Sequence, residues 1–369
     1  MVPPDGNQHR HVSANAEPTL RSAEDLAAHG LIAPGTSDAI ARVAERYAIA
    51  IPPTLAHTLD GTDSSDPLHR QFVPTTDELT TTPYEMNDPI GDSVHAPIKG
   101  IVHRYRDRVL LKPQHACPVY CRFCFRREAV GPGKEALTTE ELDAAIAYIA
   151  THSEIWEVIL SGGEPLLLSA RRLADITQRL SGLAHLGVVR IHTRAPIAIP
   201  ERIDDETIAA LRIPIDHGKA SYVVVHCNHP RELTAPARAA LARIVDAGIP
   251  VLAQTVLLKG VNDDAETLEA LFRALVRARV KPYYLHHPDL APGTSHFRVA
   301  LDDGQRLVAA LRGPVSGLCQ PTYVLDVPGG FGKVPVGPSY TESDTDGLIR
   351  VTDPTGNKHL YSSHPSQTE

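Results

Sequence analysis

No long apolar run occurs in the 369 residues, and the opening MVPPDGNQHRHVSAN is polar, so neither a signal peptide nor a membrane anchor is expected. The chain reads as cytosolic. It also lacks any Lys/Arg-dense block and carries a formal charge of -8, which argues against nucleic acid as its main partner. Small molecules fit that balance better. No internal repeat stands out. Cysteine is scarce, yet three of the five fall within eight residues. That is a poor disulfide framework but a plausible ligand set for a metal or cluster in a reducing compartment. With 42% hydrophobic and 22% charged residues, the chain is long enough for one large α/β domain plus an appendage.

Four regions are expected. Residues 1–18 form a polar, disordered tail. Residues 19–98 form a helical extension and linker, in which SAEDLAAHG reads as a capped helix stopped at Gly30 and TSDAIARVAERYAIA as a second. From Pro52 onward this region is rich in Pro, Asp and Thr and reads as a linker with short helices. Residues 99–340 form the core and 341–369 a short C-terminal tail. In the core, six short apolar strands are predicted at 108–113, 156–162, 188–194, 222–228, 250–258 and 281–288. Amphipathic helices separate them, another follows near 302–311, and TYVLDV is a seventh strand-like stretch. The fold class is therefore α/β, a partial (βα)6 TIM-like parallel barrel with an N-terminal helical extension. The unusual residues fall where strands end, which is where such barrels collect chemistry.

The most unusual stretch is HACPVYCRFCFRR, with Cys117, Cys121 and Cys124. Structural zinc sites take four ligands, so zinc here would need a Cys3His set with His115. A cubic four-iron cluster held by three cysteines instead leaves one iron open to an outside ligand. The spacing Cys-x3-Cys-x-aromatic-Cys resembles the signature of radical S-adenosylmethionine (SAM) enzymes. Ser161, Gly162, Gly163 and Glu164, in SGGEP, would then hold SAM, because adjacent glycines let backbone approach a ligand. PGGFGK, residues 328–333, fails the P-loop pattern: Val327 stands where Gly is required and Val334 where Ser or Thr is. Glycines around one lysine suit an amine that forms a Schiff base.

With DPIGD, HRYRDRVLL, HCNHPREL, LLKGVND, KPYYLHHPDL, HFRV and LDVPGGFGKVPV, the chain resembles the lysine 2,3-aminomutase family from about residue 20 to 350. The resemblance implies a radical SAM isomerase that uses a 4Fe–4S cluster, SAM and pyridoxal 5′-phosphate to move an α-amino group to the β-carbon. It implies Lys333 as the internal aldimine, and Arg104, Tyr105 and Arg108 as the phosphate site. Arg126 would take the substrate α-carboxylate as a forked donor, with Arg127 solvated or supporting. Asp289 and Asp326 would face a distal ammonium, which selects L-lysine, arginine or ornithine over glutamate. His226 and Asn228 would approach the coenzyme ring.

Two departures from the clostridial pattern stand out. Asp264 follows GVND where a zinc-binding cysteine would be, and the tail YSSHPSQTE has no cysteines. No structural zinc is expected, and a dimer is as consistent as a tetramer. The short tail is similar to that of bacterial β-lysine-forming enzymes that serve elongation factor P. Glu164 stands where the family more usually has Asp. The expected partners are an amino acid, a flavodoxin- or ferredoxin-like reductant and a second copy of the chain, with no membrane. The alternatives are a radical SAM enzyme acting on another amino acid, or a non-enzymatic iron–sulfur or zinc regulator.

Overall fold

The computed structural model describes residues 17–59, 61–131, 135–343 and 348–361. Most of the expected disordered tail, and the last eight residues of the expected C-terminal one, lie outside these. Nine strands form one sheet in chain order: β1 Ile101–Tyr105, β2 Arg108–Gln114, β3 Glu157–Gly162, β4 Val188–Thr193, β5 Ala220–His226, β6 Val251–Val256, β7 Val280–His286, β8 Thr322–Asp326 and β9 Lys333–Pro335. Strands β2 to β8 run parallel, while β1 and β9 pair antiparallel at the two edges. Among the described residues no ladder joins β9 to β1, so the barrel is partial. All six predicted core strands and TYVLDV lie in this sheet. The two edge strands are additions: β1 folds back on β2 as a hairpin, and β9 begins at Lys333.

Among the described residues eleven α-helices accompany the sheet: α1 Ala23–Ala28, α2 Ser37–Ala44, α3 Pro53–Ala56, α4 Pro67–Phe72, α5 Thr139–Thr151, α6 Ala170–Ser181, α7 Ala195–Ala198, α8 Asp205–Asp216, α9 Ala235–Asp246, α10 Ala265–Arg277 and α11 Leu301–Leu311. Side-chain oxygens start most of the crossover helices. Thr138, Ser169, Asp204, Thr234 and Asp264 each accept a hydrogen bond from the third residue of the following helix. Alternation along each strand then divides the side chains. In β4, Val189 and Ile191 face the helices, while Arg190 and His192 face the concave side with partial exposure. The helix-facing residues join Leu173, Ile176, Leu241, Leu268 and Leu271 in one continuous core. Each such buried aliphatic side chain contributes roughly 1.5–3 kcal/mol.

The N-terminal extension packs behind the cysteine loop. Leu20, Leu26, Ile51, Leu55, Leu68 and Phe72 form a second core that takes in Val119 from that loop. Backbone bonds fix the contact: Tyr120 N–H donates to the Ala50 carbonyl and Arg122 N–H to that of Gln71, both at 2.9 Å. Beyond residue 340, where a tail was expected, the chain makes a small antiparallel sheet of β10 Thr341–Ser343, β11 Ile349–Thr352 and β12 Lys358–Tyr361.

Candidate active site

The concave face of the sheet encloses a cavity of about 1000 Å³. Of the predicted site residues, Cys117, Cys121, Cys124, Ser161, Gly162, Gly163, Glu164, Arg104, Tyr105, Arg108, Arg126, His226, Asp289, Asp326 and Lys333 line it. Asn228 does not. It is fully buried beneath the cavity, where its amide bonds to Gln71 and its carbonyl oxygen accepts from Val256 N–H. It reaches the cavity lining through that Val256 contact and through His226, whose Nε2 lies 3.0 Å from Asn228 Oδ1.

The loop after β2 presents the three cysteines as free thiols. Burial, then the like charges of Cys124 and Cys121, pushes the Cys117 thiol far up; burial raises Cys124 to about 11. Three thiolates held this close call for a cationic partner. Among the described residues no three His, Cys, Asp or Glu converge on one point as ligands of a single ion. The His115 ring instead sits 3.3 Å from the Glu135 carbonyl through Nδ1. A multi-iron cube takes its thiols at separate corners, whereas a single tetrahedral ion needs them on one point.

SGGEP packs against this loop, and that packing explains its glycines. A Cβ on Gly163 would lie 2.2 Å from the Ala116 carbonyl oxygen, and one on Gly162 would lie 2.7 Å from that of Gln114. The close approach is thus to the cysteine loop itself. Glu164 turns its carboxylate into the protein, accepting from Thr193 Oγ1 at 2.6 Å, Arg194 N–H at 2.7 Å and Leu166 N–H at 3.0 Å. What SGGEP offers a ligand is therefore mainly the Ser161 hydroxyl and backbone.

Lys333 opens β9 directly across from Asp326 on β8. Gly329, Gly330 and Gly332 all take positive φ, between 88° and 99°, and the loop they form is stapled rather than loose. Gly329 N–H donates to Pro89, His95 Nε2 lies 3.0 Å from the Gly330 carbonyl, and Lys333 N–H donates to the Tyr105 hydroxyl at 2.8 Å. The Lys333 ammonium ion-pairs with Asp326 and lies 3.2 Å from His286 Nδ1. Burial alone would raise the Asp326 pKa, but the His286 hydrogen bond and the Lys333 charge outweigh it and hold it below the carboxylate range. Burial and the Lys333 charge lower His286 to about 4. Its Nε2 is buried without a partner among the described residues.

Asp289 is the counterpart. It makes no hydrogen bond or ion pair among the described residues, and burial, then the Asp326 charge, raises it to about 7. The expected strain between the two carboxylates thus falls on Asp289, because Lys333 relieves Asp326. Arg126 donates through Nε to Asp92 at 2.8 Å, leaving its two Nη groups without a protein partner among the described residues. Arg104 lies 3.7 Å from both Asp92 and Asp326, and Arg108 stacks 3.9 Å over the Tyr105 ring. Arg127 departs from the solvated expectation. It is 2% exposed and, with Arg122, shares the buried carboxylate of Glu78. One anion between two guanidiniums locks the loop that holds Cys124.

Among the residues at the site with no role assigned from sequence are Asp92, His192, Arg194 and His286. Asp92 lay within the quoted DPIGD. The others end β4 or β7, where the strand-end rule would have found them.

Comparison with known proteins follows the same outline. Residues 111–272 match the radical SAM superfamily and residues 308–351 match lysine-2,3-aminomutase. The chain is 37% identical over 328 residues to the L-lysine 2,3-aminomutase of Fusobacterium nucleatum, covering 88% of this chain and 76% of that protein. It belongs to the lysine 2,3-aminomutase family. The enzyme of that name from Clostridium subterminale is 36% identical, with 88% and 77% covered. A glutamate 2,3-aminomutase from Clostridioides difficile is 34% identical, with 82% and 71% covered. Aminomutases of this family are isomerases that use a 4Fe–4S cluster, SAM and pyridoxal phosphate. The donor set fits all three: thiols for the cluster, close-packed backbone for SAM, and an amine near two arginines and a tyrosine for the coenzyme. Among the described residues no helix is long and apolar enough to cross a membrane.

Proposed function

We propose that the protein is a 2,3-aminomutase acting on L-lysine, moving its α-amino group to the β-carbon to give β-lysine. The observation that carries the choice is Asp289, a carboxylate with no ion pair among the described residues, in the same cavity as Asp326, Arg126 and Lys333. A distal ammonium would relieve its unfavourable charge, and the glutamate carboxylate would add to it.

When bound, the cluster and SAM supply a hydrogen-abstracting 5′-deoxyadenosyl radical, and pyridoxal phosphate supplies the carbonyl that carries the migrating nitrogen. The chain's own residues bind and orient. Cys117, Cys121 and Cys124 would hold the cluster, and Ser161 to Glu164 would help hold SAM beside it. Arg104, Tyr105 and Arg108 would take the coenzyme phosphate, and Lys333 its carbonyl. His226 would lie near the coenzyme. Arg126 presents its free fork to the α-carboxylate, so the substrate is fixed at both ends before any hydrogen moves. Val224 and Val256 line the cavity and help exclude water. A flavodoxin- or ferredoxin-like protein would supply the electron.

Anaerobic incubation of the reconstituted enzyme with SAM, dithionite and lysine, arginine, ornithine or glutamate, followed by chiral analysis, tests this. β-Lysine should form fastest. Turnover of glutamate in preference to lysine would overturn the assignment.

A further inference from the structure

Arg194, just past the end of β4, is a buried cation whose placement the amino-group migration itself does not explain. It is 6% exposed. Its guanidinium is divided among three partners. Nη2 donates to Glu232 at 2.5 Å and to Gln71 Oε1 at 3.0 Å, and Nη1 donates to the Cys121 sulfur at 2.9 Å. The rings of Phe72 and Phe123 lie 4.8 and 5.4 Å away, so water is kept off the group.

Every partner is itself fixed from a different segment. Gln71 Oε1 also accepts from the Asn228 amide, Glu232 Oε1 accepts from the N–H groups of Asn228 and His229, and the Arg194 backbone is gripped by Glu164 of SGGEP. An arginine serving only as a strut would be satisfied by the carboxylate and the amide. This one is held so that one arm points at a sulfur. A charged donor to a ligand sulfur in a dry pocket withdraws electron density from the metal, and hydrogen bonds to the sulfurs are among the determinants of cluster potential.

We propose that Arg194 sets the reduction potential of the cluster through its hydrogen bond to Cys121, making the electron easier to deliver, with Glu232 and Gln71 as the clamp that aims it. The inference rests on the cysteine loop being the cluster site and goes beyond the substrate assignment. It also gives buried Glu232 and Asn228 a common purpose, since Glu232 holds Arg194 and Asn228 braces Glu232 and Gln71.

The test is a redox titration, without SAM, of the anaerobically reconstituted full chain followed by electron paramagnetic resonance, with iron content measured in parallel. Arg194→Gln combined with Glu232→Gln removes both buried charges together. This variant should keep four irons per chain, but its reduced-to-oxidised ratio at a fixed potential should fall about tenfold, equivalent to ~59 mV for one electron. Arg194→Lys, with a cation but no fork, should fall between. Full iron content with an unchanged midpoint in both variants would overturn the proposal, even if the affinity for SAM changed, because Arg194 would then act on SAM instead. Should the double variant lose its cluster, Arg194→Lys decides alone, since a midpoint equal to that of the parent refutes the sulfur contact. A cysteine loop that holds no iron in the parent protein would instead defeat the cluster-site assignment, and the two failures are thus distinguishable.

Discussion

Replacing Asp289 with Asn should make the empty protein more stable and a poorer lysine enzyme at once. Burial and the neighbouring Asp326 raise the Asp289 pKa from the ordinary 3.8 to about 7. A raised carboxylate pKa means that the unfolded chain releases this proton before the folded one does. Stability from this group is therefore complete at acid pH and declines as pH rises from about 4 through 7. At roughly 1.4 kcal/mol per unit, the ionised carboxylate costs the empty site on the order of 4 kcal/mol above pH 7. Asn removes that charge but leaves an amide in want of partners, at about 1–3 kcal/mol. The net gain expected at pH 8 is about 1–3 kcal/mol, shrinking toward zero or below at pH 5. Lysine binding should show the mirror image. In the parent, apparent affinity is flat above pH 7 and falls about tenfold per unit below it, because the ammonium must displace a proton. In the variant this step disappears, and losing a charged hydrogen bond of about 1.5–3 kcal/mol raises the lysine KM roughly 10- to 150-fold. Thermal unfolding at pH 5 and 8, with KM measured across the same range, checks both halves. An Asn variant no more stable than the parent at pH 8, or an unmoved lysine KM, would refute the reasoning.

Three further outcomes are expected. Lys333→Ala should abolish the long-wavelength absorbance of bound coenzyme while leaving iron–sulfur absorbance intact; persistence of the coenzyme band would remove Lys333 from its role. Gly163→Ala puts a methyl group 2.2 Å from the Ala116 carbonyl. It should displace the cysteine loop and lower iron content after reconstitution, and full iron loading would show that the turn yields. Glu78→Gln leaves Arg122 and Arg127 without their shared carboxylate and should cost about 3–5 kcal/mol, read as a lowered unfolding midpoint of the cluster-free chain.

Much of the barrel was legible because its strands carry a simple code. Runs such as WEVILSG and YVVVHCN are short, β-branched and bounded by turns, and helices with one apolar face separate them. The edge strands were harder for a physical reason. Ile101–Tyr105 is half polar, because Arg104 faces the cavity, and Lys333–Pro335 is only three residues long and follows a glycine loop. The site was legible where chemistry concentrates in one loop, as with the cysteines. It was not where the meaning of a residue depends on distant partners. Asn228 looks like a ligand group at a strand end, but the fold spends its polar atoms on Gln71 and Val256. Arg127 looks like a surface charge, until a helical turn some fifty residues earlier supplies Glu78.

That shared carboxylate has a bearing on how the holoenzyme matures. Two guanidiniums flank Cys124 in sequence and only one buried acid answers them, so the folded apoprotein carries an electropositive frame around its thiols. Because the acid belongs to the N-terminal extension, that frame is complete only after the extension has docked. Iron and sulfide, which together with three thiolates make an anionic assembly, would meet in the docked chain a receptor whose charge is already set.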